Sequence, residues 1–209
     1  MSIWPRKSWS QMGEDLILEN LLNERGIKPN EVIYLEIGTN DPCDSNNTYL
    51  FYMHGATGVL VEPDEMYWGR ISKHRPKDKL IKVCVGDYDG ESDFYIMTAR
   101  SLNTLIPEVA KNVEQSPGYG NQKIEKVIKV PVRSVNAVIQ EMSKMPNLLS
   151  VDTEGMDCRI LSSVDWKKYP IKIVCVEAGA DRAAITSLMK KNGYAMLCDN
   201  NLNIIFGKL

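Results

Sequence analysis

Short apolar runs alternate with segments of helical periodicity along most of the chain. Strands are predicted at 31–37, 57–62, 80–85, 92–97, 126–133, 148–152, 171–177, 194–198 and 202–206. Helices are predicted at 10–25, 49–53, 63–73, 134–142, 157–163 and 181–192. This alternation predicts an α/β fold with a mostly parallel seven-stranded sheet, in which the last two strands form an antiparallel edge hairpin. The strand at 92–97 is expected to form a separate hairpin with the strand at 80–85.

One long segment departs from this pattern. Residues 99–126 show no clear periodicity and include the turn-rich stretch Ser116-Pro117-Gly118-Tyr119-Gly120. A long insert of this kind in a compact domain is typically a lid, a binding loop or a disordered segment, and we expect a lid over the acceptor. The whole chain, 1–209, is predicted to form one domain that includes this insert and an N-terminal helical segment at 1–30.

Composition narrows the classes of partner. The net charge of −2 gives no basic footprint for nucleic acid, so no nucleic-acid partner is expected. No apolar run approaches the roughly 20 residues of a membrane span, and residues 1–7 lack the apolar core of a secretory signal. The five cysteines form no CxxC pair, which favours a reducing cytoplasm. The stretch Lys73-His74-Arg75-Pro76 predicts a solvated basic loop.

Polar residues follow the predicted parallel strands at the points where these strands end. In open α/β sheets ligands bind at the carboxyl ends of the strands, beside the point where the strand order reverses. The strand-end residues are Glu36 to Asp41, Glu62, Gly86 with Asp87, Asp152 to Gly155, and Glu177. Unpaired buried carboxylates are costly, so a chain folded only for stability would not need so many at one edge.

Glu62 indicates a nucleoside ligand. It ends the second strand about 25 residues after the first turn, where an acidic side chain suits the two hydroxyls of a ribose, although it could instead cap the next helix. S-adenosylmethionine (SAM) and NAD both carry such a ribose. The G-x-G-x-x-G fingerprint of NAD sites would need glycine where Asn40 and Cys43 stand, so SAM is favoured. Asp87 suits the adenine amino group, or is a plain turn residue.

Carboxylates also end two neighbouring central strands. Asp152 and Glu177 could hold a divalent cation such as Mg²⁺, which would lower the pKa of an acceptor hydroxyl. The competing roles are contact with the SAM ammonium group and general-base catalysis by Asp152 or Glu154.

Several segments resemble the FkbM family of SAM-dependent methyltransferases. They are Ser10-Gln11-Met12-Gly13-Glu14-Asp15, Glu36 to Pro42 with Ser45 to Thr48, Gly58 to Pro63, Ser101 to Leu105, Val130 to Val135, Asp152 to Asp157, and Val176-Glu177. The resemblance implies the Rossmann-like methyltransferase fold and O-methylation of a hydroxyl, often on a sugar or natural product. Asn103 departs from the small residues that the family has in its serine-rich segment.

Together these observations predict a SAM-dependent O-methyltransferase acting on a small-molecule or carbohydrate acceptor. Cofactor contacts are expected from Gln11, Glu36, Gly38, Asn40, Ser45, Glu62, Pro63, Gly86, Asp87 and Asp152. Catalysis is expected from Asp152 and Glu154, and metal binding from Asp152 and Glu177. The alternatives are a methyltransferase directed at nitrogen or nucleic acid, a non-catalytic binding module with the same fold, and an NAD oxidoreductase. The first often shows an Asn/Asp-Pro-Pro-Tyr-like motif where this chain has Asp152-Thr153-Glu154-Gly155.

Overall fold

The computed structural model describes residues 7–209. Residues 1–6 lie outside the described residues. They make up most of the terminus in which no secretory signal is expected, and they are the start of the predicted N-terminal segment 1–30. Within 7–209, no helix combines the length and the apolar character that a membrane crossing requires.

The secondary structure follows the predicted alternation. The helices are α1 Glu14–Glu24, α2 Tyr49–Met53, α3 Glu65–His74, α4 Pro107–Gln115, α5 Val135–Gln140, α6 Asp157–Ser163 and α7 Arg182–Lys191. The strands are β1 Ile33–Ile37, β2 Thr57–Val61, β3 Lys79–Ile81, β4 Cys84–Gly86, β5 Gly90–Met97, β6 Ile124–Ser134, β7 Leu148–Val151, β8 Ile173–Glu177, β9 Tyr194–Asp199 and β10 Asn203–Lys208.

The main sheet has the strand order β3-β2-β1-β7-β8-β10-β9. Neighbours from β3 to β8 are parallel, whereas β10 lies antiparallel to both β8 and β9. The predicted mostly parallel seven-stranded sheet with an antiparallel edge hairpin is therefore confirmed. Because the chain runs outward from β1 to β3 and then returns to β7, the strand order reverses between β1 and β7. A ligand is expected above the carboxyl ends of these two strands.

Both faces of the sheet are buried, as parallel sheets require. Leu35 and Ile37 of β1 face one apolar cluster, which includes residues of α5, α6 and α7. Tyr34, which precedes Leu35 and therefore points to the opposite face of the strand, lies in a second cluster with residues of α1, α2 and α3. Packing from both sides holds β1 in place, and with it the loop that follows.

The predicted strand at 80–85 is wrong as a single element. It divides into β3, in the main sheet, and β4, which pairs in parallel with β6 in a second sheet of order β4-β6-β5. The predicted hairpin of 92–97 with that strand is also wrong, because β5 pairs antiparallel with β6 instead. Three strands together bury a small core of their own, containing Cys84, Phe94, Ile96, Val130 and Val132.

The insert at 99–126 is more regular than its sequence suggests. It contains α4 between two single turns of 3₁₀ helix, at 100–102 and 117–119, and β6 begins at Ile124. Ala110 and Val113 lie three residues apart on one face of α4 and pack with Met97 of β5. The insert is thus a folded cap attached to the second sheet.

Candidate active site

A cavity of about 590 Å³ lies at the carboxyl ends of β1, β2, β7 and β8, a size typical of small-molecule sites. Part of its wall comes from residues 100–103 and Leu105 of the insert and from Tyr119. Most of the residues predicted from the sequence line it, namely Gln11, Gly38, Asn40, Ser45, Glu62, Pro63, Asp152, Glu154 and Glu177. The structure therefore brings them together, and their contacts with a ligand stay predictions.

The turn after β1 depends on Gly38. Its φ is +80°, and a Cβ atom built there would lie 1.7 Å from the carbonyl oxygen of Asp152. The N–H of Asp152 in turn donates to the carbonyl of Ile37 at 3.0 Å. Only glycine allows this close approach of the backbone where β1 and β7 end.

Glu62 joins the ends of β1 and β2. Its two carboxylate oxygens accept hydrogen bonds from the N–H of Asn40 at 2.7 Å and of Asp64 at 2.8 Å. Asn40 itself has a φ of +51°, a conformation that asparagine tolerates better than most residues. Burial raises the pKa of Glu62 to about 7, against the effect of these two hydrogen bonds. Each oxygen retains capacity to accept one more hydrogen bond.

Glu36 was predicted to contact the cofactor, but it does not line the cavity. Its carboxylate is buried beneath the first loop and accepts from Asn46 Nδ2 at 2.9 Å and Thr48 Oγ1 at 3.1 Å. Asn46 Oδ1 accepts from the N–H groups of Thr48 and Tyr49 and so caps the start of α2. Through Asn46 and Thr48, Glu36 therefore stabilises the first loop, which carries Ser45.

Sequence reasoning missed the buried arginine that completes this support. Arg75, predicted to lie in a solvated loop, is only 1% exposed. Its guanidinium donates to Asp78 Oδ2 at 2.7 Å, to the carbonyl of Pro42 at 3.1 Å and to Thr48 Oγ1 at 2.9 Å. Because Pro42 belongs to the first loop, Arg75 ties that loop to the end of α3.

Gly86 and Asp87 were also predicted to contact the cofactor, and the structure places neither on the cavity wall. The chain leaves the main sheet after β3, so Gly86 lies in the second sheet. The carboxylate of Asp87 forms an ion pair with Arg159 at 2.9 Å. Residues earlier in this strand, Val83 to Val85, line the cavity instead.

Three carboxylates meet at the ends of β7 and β8. Asp152, Glu154 and Glu177 each offer one oxygen, and these oxygens lie within 4.8 Å of one another. Burial, then the charge of Glu177, raises the pKa of Glu154 to about 8. The same two causes raise the pKa of Asp152 well above its usual range, and Asp152 is hydrogen bonded to Glu177. In the part of the chain that the structure describes, no Lys or Arg pairs with this cluster.

The loop that carries Glu154 is shaped by Asp157, to which sequence reasoning gave no role. The Asp157 carboxylate accepts from the N–H and the hydroxyl of Thr153, both at 3.0 Å, and from the N–H of Gly155 at 3.2 Å. The sequence signal that could have identified Asp157 was its position at the end of the motif Asp152 to Asp157, where α6 begins.

Comparison with known proteins decides the family. A model described as the methyltransferase FkbM domain matches residues 36–196, which is most of the chain. The chain belongs to the FkbM methyltransferase family. It is accordingly a SAM-dependent methyltransferase, as predicted. A solved structure, the N-terminal domain of human METTL16 in complex with SAH, matches with a TM-score of 0.48 and 10% identity, covering 99% of this chain and 73% of that chain. No curated protein matches the chain.

In this FkbM methyltransferase, an N-terminal segment crosses the site before α1 begins. Asp15, fully buried, accepts from Ser8 Oγ at 2.6 Å and from the N–H of Trp9 at 2.7 Å. The carbonyl of Trp9 accepts from the N–H of Asn46 at 2.9 Å, which joins the segment to the first loop. These contacts hold Gln11 at the cavity wall.

The insert is attached to both sides of the cavity. On one side, Asn103 Nδ2 donates to Asp64 Oδ2 at 2.9 Å, and Asn103 Oδ1 accepts from the N–H of Met97 at 2.8 Å. On the other side, Thr104 Oγ1 donates to the carbonyl of Glu154 at 2.7 Å. The departure at Asn103 therefore has a structural explanation, because this amide bridges the insert, the second sheet and the end of β2.

Proposed function

We propose that this methyltransferase transfers the methyl group of SAM to a hydroxyl oxygen of a small-molecule or carbohydrate acceptor. The observation that carries the proposal is the carboxylate cluster on the cavity wall. It contains a candidate base, Glu154, whose pKa is raised to about 8. A general base works best when its pKa lies near the operating pH.

The residues on the cavity wall fit the cofactor. Gly38 lets the ends of β1 and β7 approach each other closely at the cavity wall, and Glu62 presents a carboxylate suited to the ribose hydroxyls. SAM is positively charged at sulfur, and the cluster of acidic side chains favours a cation. When bound, SAM supplies a methyl group that an oxygen nucleophile can attack.

The chain's own residues then have three tasks. Glu154 takes the proton from the acceptor hydroxyl. The hydrogen-bonded pair Asp152 and Glu177 orients the acceptor oxygen, which must lie about 3 Å from the methyl carbon. The insert, attached through Asn103 and Thr104, excludes water from the cavity.

The cavity wall also supports an acceptor that is not a nucleic acid. Six lining side chains are acidic, namely Asp41, Asp44, Glu62, Asp152, Glu154 and Glu177. The lining cation Arg100 is already paired with Asp64 and Glu125. A polyanion needs Lys and Arg contacts to its phosphates, and among the described residues of this wall Arg100 is the one cation.

The test has two stages. Calorimetry with SAM and S-adenosylhomocysteine is expected to show binding, and a screen of sugar hydroxyls is expected to show methyl transfer. With an acceptor that the enzyme methylates, Glu154→Gln and Asp152→Ala should lose turnover. Asp87→Asn, which changes a residue paired with Arg159, should keep it. No SAM binding up to millimolar concentration would refute the enzyme proposal. Methyl transfer only to nitrogen or to RNA would refute the acceptor class.

A divalent cation is a second proposal for the same cluster. Asp152 and Glu177 would hold it with Glu154 nearby, because carboxylate oxygens are the ligands that Mg²⁺ and Ca²⁺ prefer. The ion would lower the pKa of the acceptor hydroxyl. Equilibrium dialysis with Mg²⁺ should then show binding that Glu177→Gln removes, and excess EDTA should abolish turnover. Full activity in EDTA without any divalent ion would dismiss the metal.

We also propose that residues 1–209 form one domain that works in the cytoplasm. The cysteines at 43, 84, 158, 175 and 198 are all free thiols, which supports a reducing compartment. Cysteine labelling after gentle lysis should find them reduced, and a stable disulfide would contradict this location.

A further inference from the structure

One peptide group in the β7 loop is held at both of its ends. The carbonyl oxygen of Glu154 accepts from Thr104 Oγ1 at 2.7 Å. The N–H of Gly155, in the same peptide group, donates to Asp157 Oδ2 at 3.2 Å. Because a peptide group is planar, two hydrogen bonds at opposite ends fix its orientation, and with it the ψ angle of Glu154.

The backbone of Glu154 needs this support. Its φ is +52°, a left-handed conformation that is unfavourable for a non-glycine residue. Such a conformation persists only where the surroundings hold it, and in functional sites it sets the direction of a side chain. The peptide group held by Thr104 and Asp157 is the one that follows Glu154 directly.

Thr104 is itself fixed, and it belongs to a different part of the fold. It is fully buried, and its Oγ1 also accepts from the N–H of Ile106 at 3.0 Å. Its backbone forms two hydrogen bonds with Tyr95 of β5, at 2.9 and 3.2 Å. The Thr104 hydroxyl therefore connects the second sheet and the insert with the Glu154 loop, 50 residues away in sequence.

We propose that Thr104 is a positioning residue, which aims the Glu154 carboxylate at the acceptor by holding the Glu154–Gly155 peptide group. This inference rests on the proposed function, in which Glu154 is the base. It gives the insert a second task besides covering the cavity. Thr104 lies between Asn103 and Leu105, which line the cavity, so the segment that forms part of the wall also holds the base in place.

A pair of substitutions at Thr104 tests the proposal. Thr104→Val keeps the shape and removes the hydroxyl, whereas Thr104→Ser keeps the hydroxyl. We expect Thr104→Val to lower kcat about 10- to 100-fold, as for the loss of one to two well-placed hydrogen bonds, and Thr104→Ser to recover most of it. The dissociation constant for SAM, measured by calorimetry, should change less than twofold in both. Equal losses of kcat in both variants, or wild-type kcat in Thr104→Val, would overturn the proposal.

A double-mutant cycle shows whether Thr104 acts through Glu154. In a Glu154→Gln background, Thr104→Val should lower the residual kcat less than twofold, because the base is already gone. A full additional loss would mean that Thr104 acts by another route, and would overturn the proposal. If Glu154→Gln alone keeps wild-type kcat, the assignment of the base fails, and Thr104 loses its proposed role with it.

Hydrogen exchange tests the contact without any turnover, so that a wrong acceptor class leaves this test intact. The amide of Gly155 should exchange at least tenfold faster in Thr104→Val than in wild type, and at near wild-type rate in Thr104→Ser. Unchanged exchange in Thr104→Val would overturn the proposal. Should Thr104→Val fail to fold, Thr104→Ala removes the same hydroxyl and is compared with Thr104→Ser in both measurements.

Discussion

Replacing Glu62 by glutamine tests the assignment of the cofactor most directly. The substitution keeps the size of the side chain but exchanges one carboxylate oxygen for an NH₂ group. In the structure both oxygens accept from backbone N–H groups, those of Asn40 and Asp64. The amide oxygen of glutamine can serve only one of them, and the NH₂ group then faces a second donor. The substituted side chain also lacks the charge that strengthens hydrogen bonds to ribose hydroxyls.

The expected size of the effect follows from these contacts. A hydrogen bond to a charged group contributes about 1.5–3 kcal/mol, and every 1.4 kcal/mol corresponds to a tenfold change in affinity. Loss of one such bond to the ribose therefore predicts a dissociation constant for SAM about 10 to 100 times higher. The loss should be as large for S-adenosylhomocysteine, because the two ligands share the ribose.

Isothermal titration calorimetry with both ligands provides the measurement, and Asp87→Asn is the matched control. Asp87 also follows a β-strand in the sequence, but its carboxylate pairs with Arg159 away from the cavity. We expect its affinity for SAM to stay within twofold of wild type. Wild-type affinity in Glu62→Gln would refute the ribose assignment. Equal weakening in both variants would show that the strand-end argument does not locate the cofactor.

Two further predictions concern stability. Gly38→Ala places a Cβ atom against the Asp152 carbonyl at a φ of +80°, so we expect a lower Tm and no SAM binding. The control Gly69→Ala lies in α3, where a Cβ atom would meet nothing within 4 Å, and should keep or raise Tm. The second is the pH dependence of the ligand-free protein. Folding raises the pKa of Glu62 to about 7 and of Glu154 to about 8, both from 4.5, so the stability that these groups contribute is complete below pH 4.5 and is lost as pH rises through 7 and 8. Scanning fluorimetry should show a smaller fall of Tm over this range in Glu154→Gln, and an unchanged fall would contradict the role of burial.

Features that depend on neighbouring residues could be predicted from the sequence, whereas features that depend on contacts between distant residues could not. The main sheet could be predicted because apolar runs and turn residues are local signals, and strand ends then place Gly38, Glu62 and Asp152 at one edge. The chain departs from the predicted sheet after Ile81. Whether Cys84 continues a strand or begins a new one depends on pairing with Val132, far along the chain. No local pattern carries that information.

The supports of the site were unpredictable for the same reason. Arg75 lies among polar residues in the sequence, yet its contacts with Pro42 and Thr48 bury it. Glu36 is the next-to-last residue of β1, whereas Glu62 directly follows β2; the loop after β1 covers Glu36, and only Glu62 lies at the cavity. A position at a strand end thus identifies candidate ligand-binding residues. The path of the following loop decides which of these side chains face the cavity.

The carboxylate cluster explains why this edge of the sheet is suited to a cationic ligand. Asp152, Glu154 and Glu177 come together because β7 and β8 are neighbours, and no described Lys or Arg pairs with them. Burial, and after it the charge of neighbouring carboxylates, raises the pKa values of these three groups and lowers the stability of the ligand-free fold at neutral pH. A positive ligand removes part of that cost, whereas a neutral product does not. The cluster should therefore favour charged SAM over neutral S-adenosylhomocysteine. The same charges that destabilise the ligand-free protein would then promote release of the product.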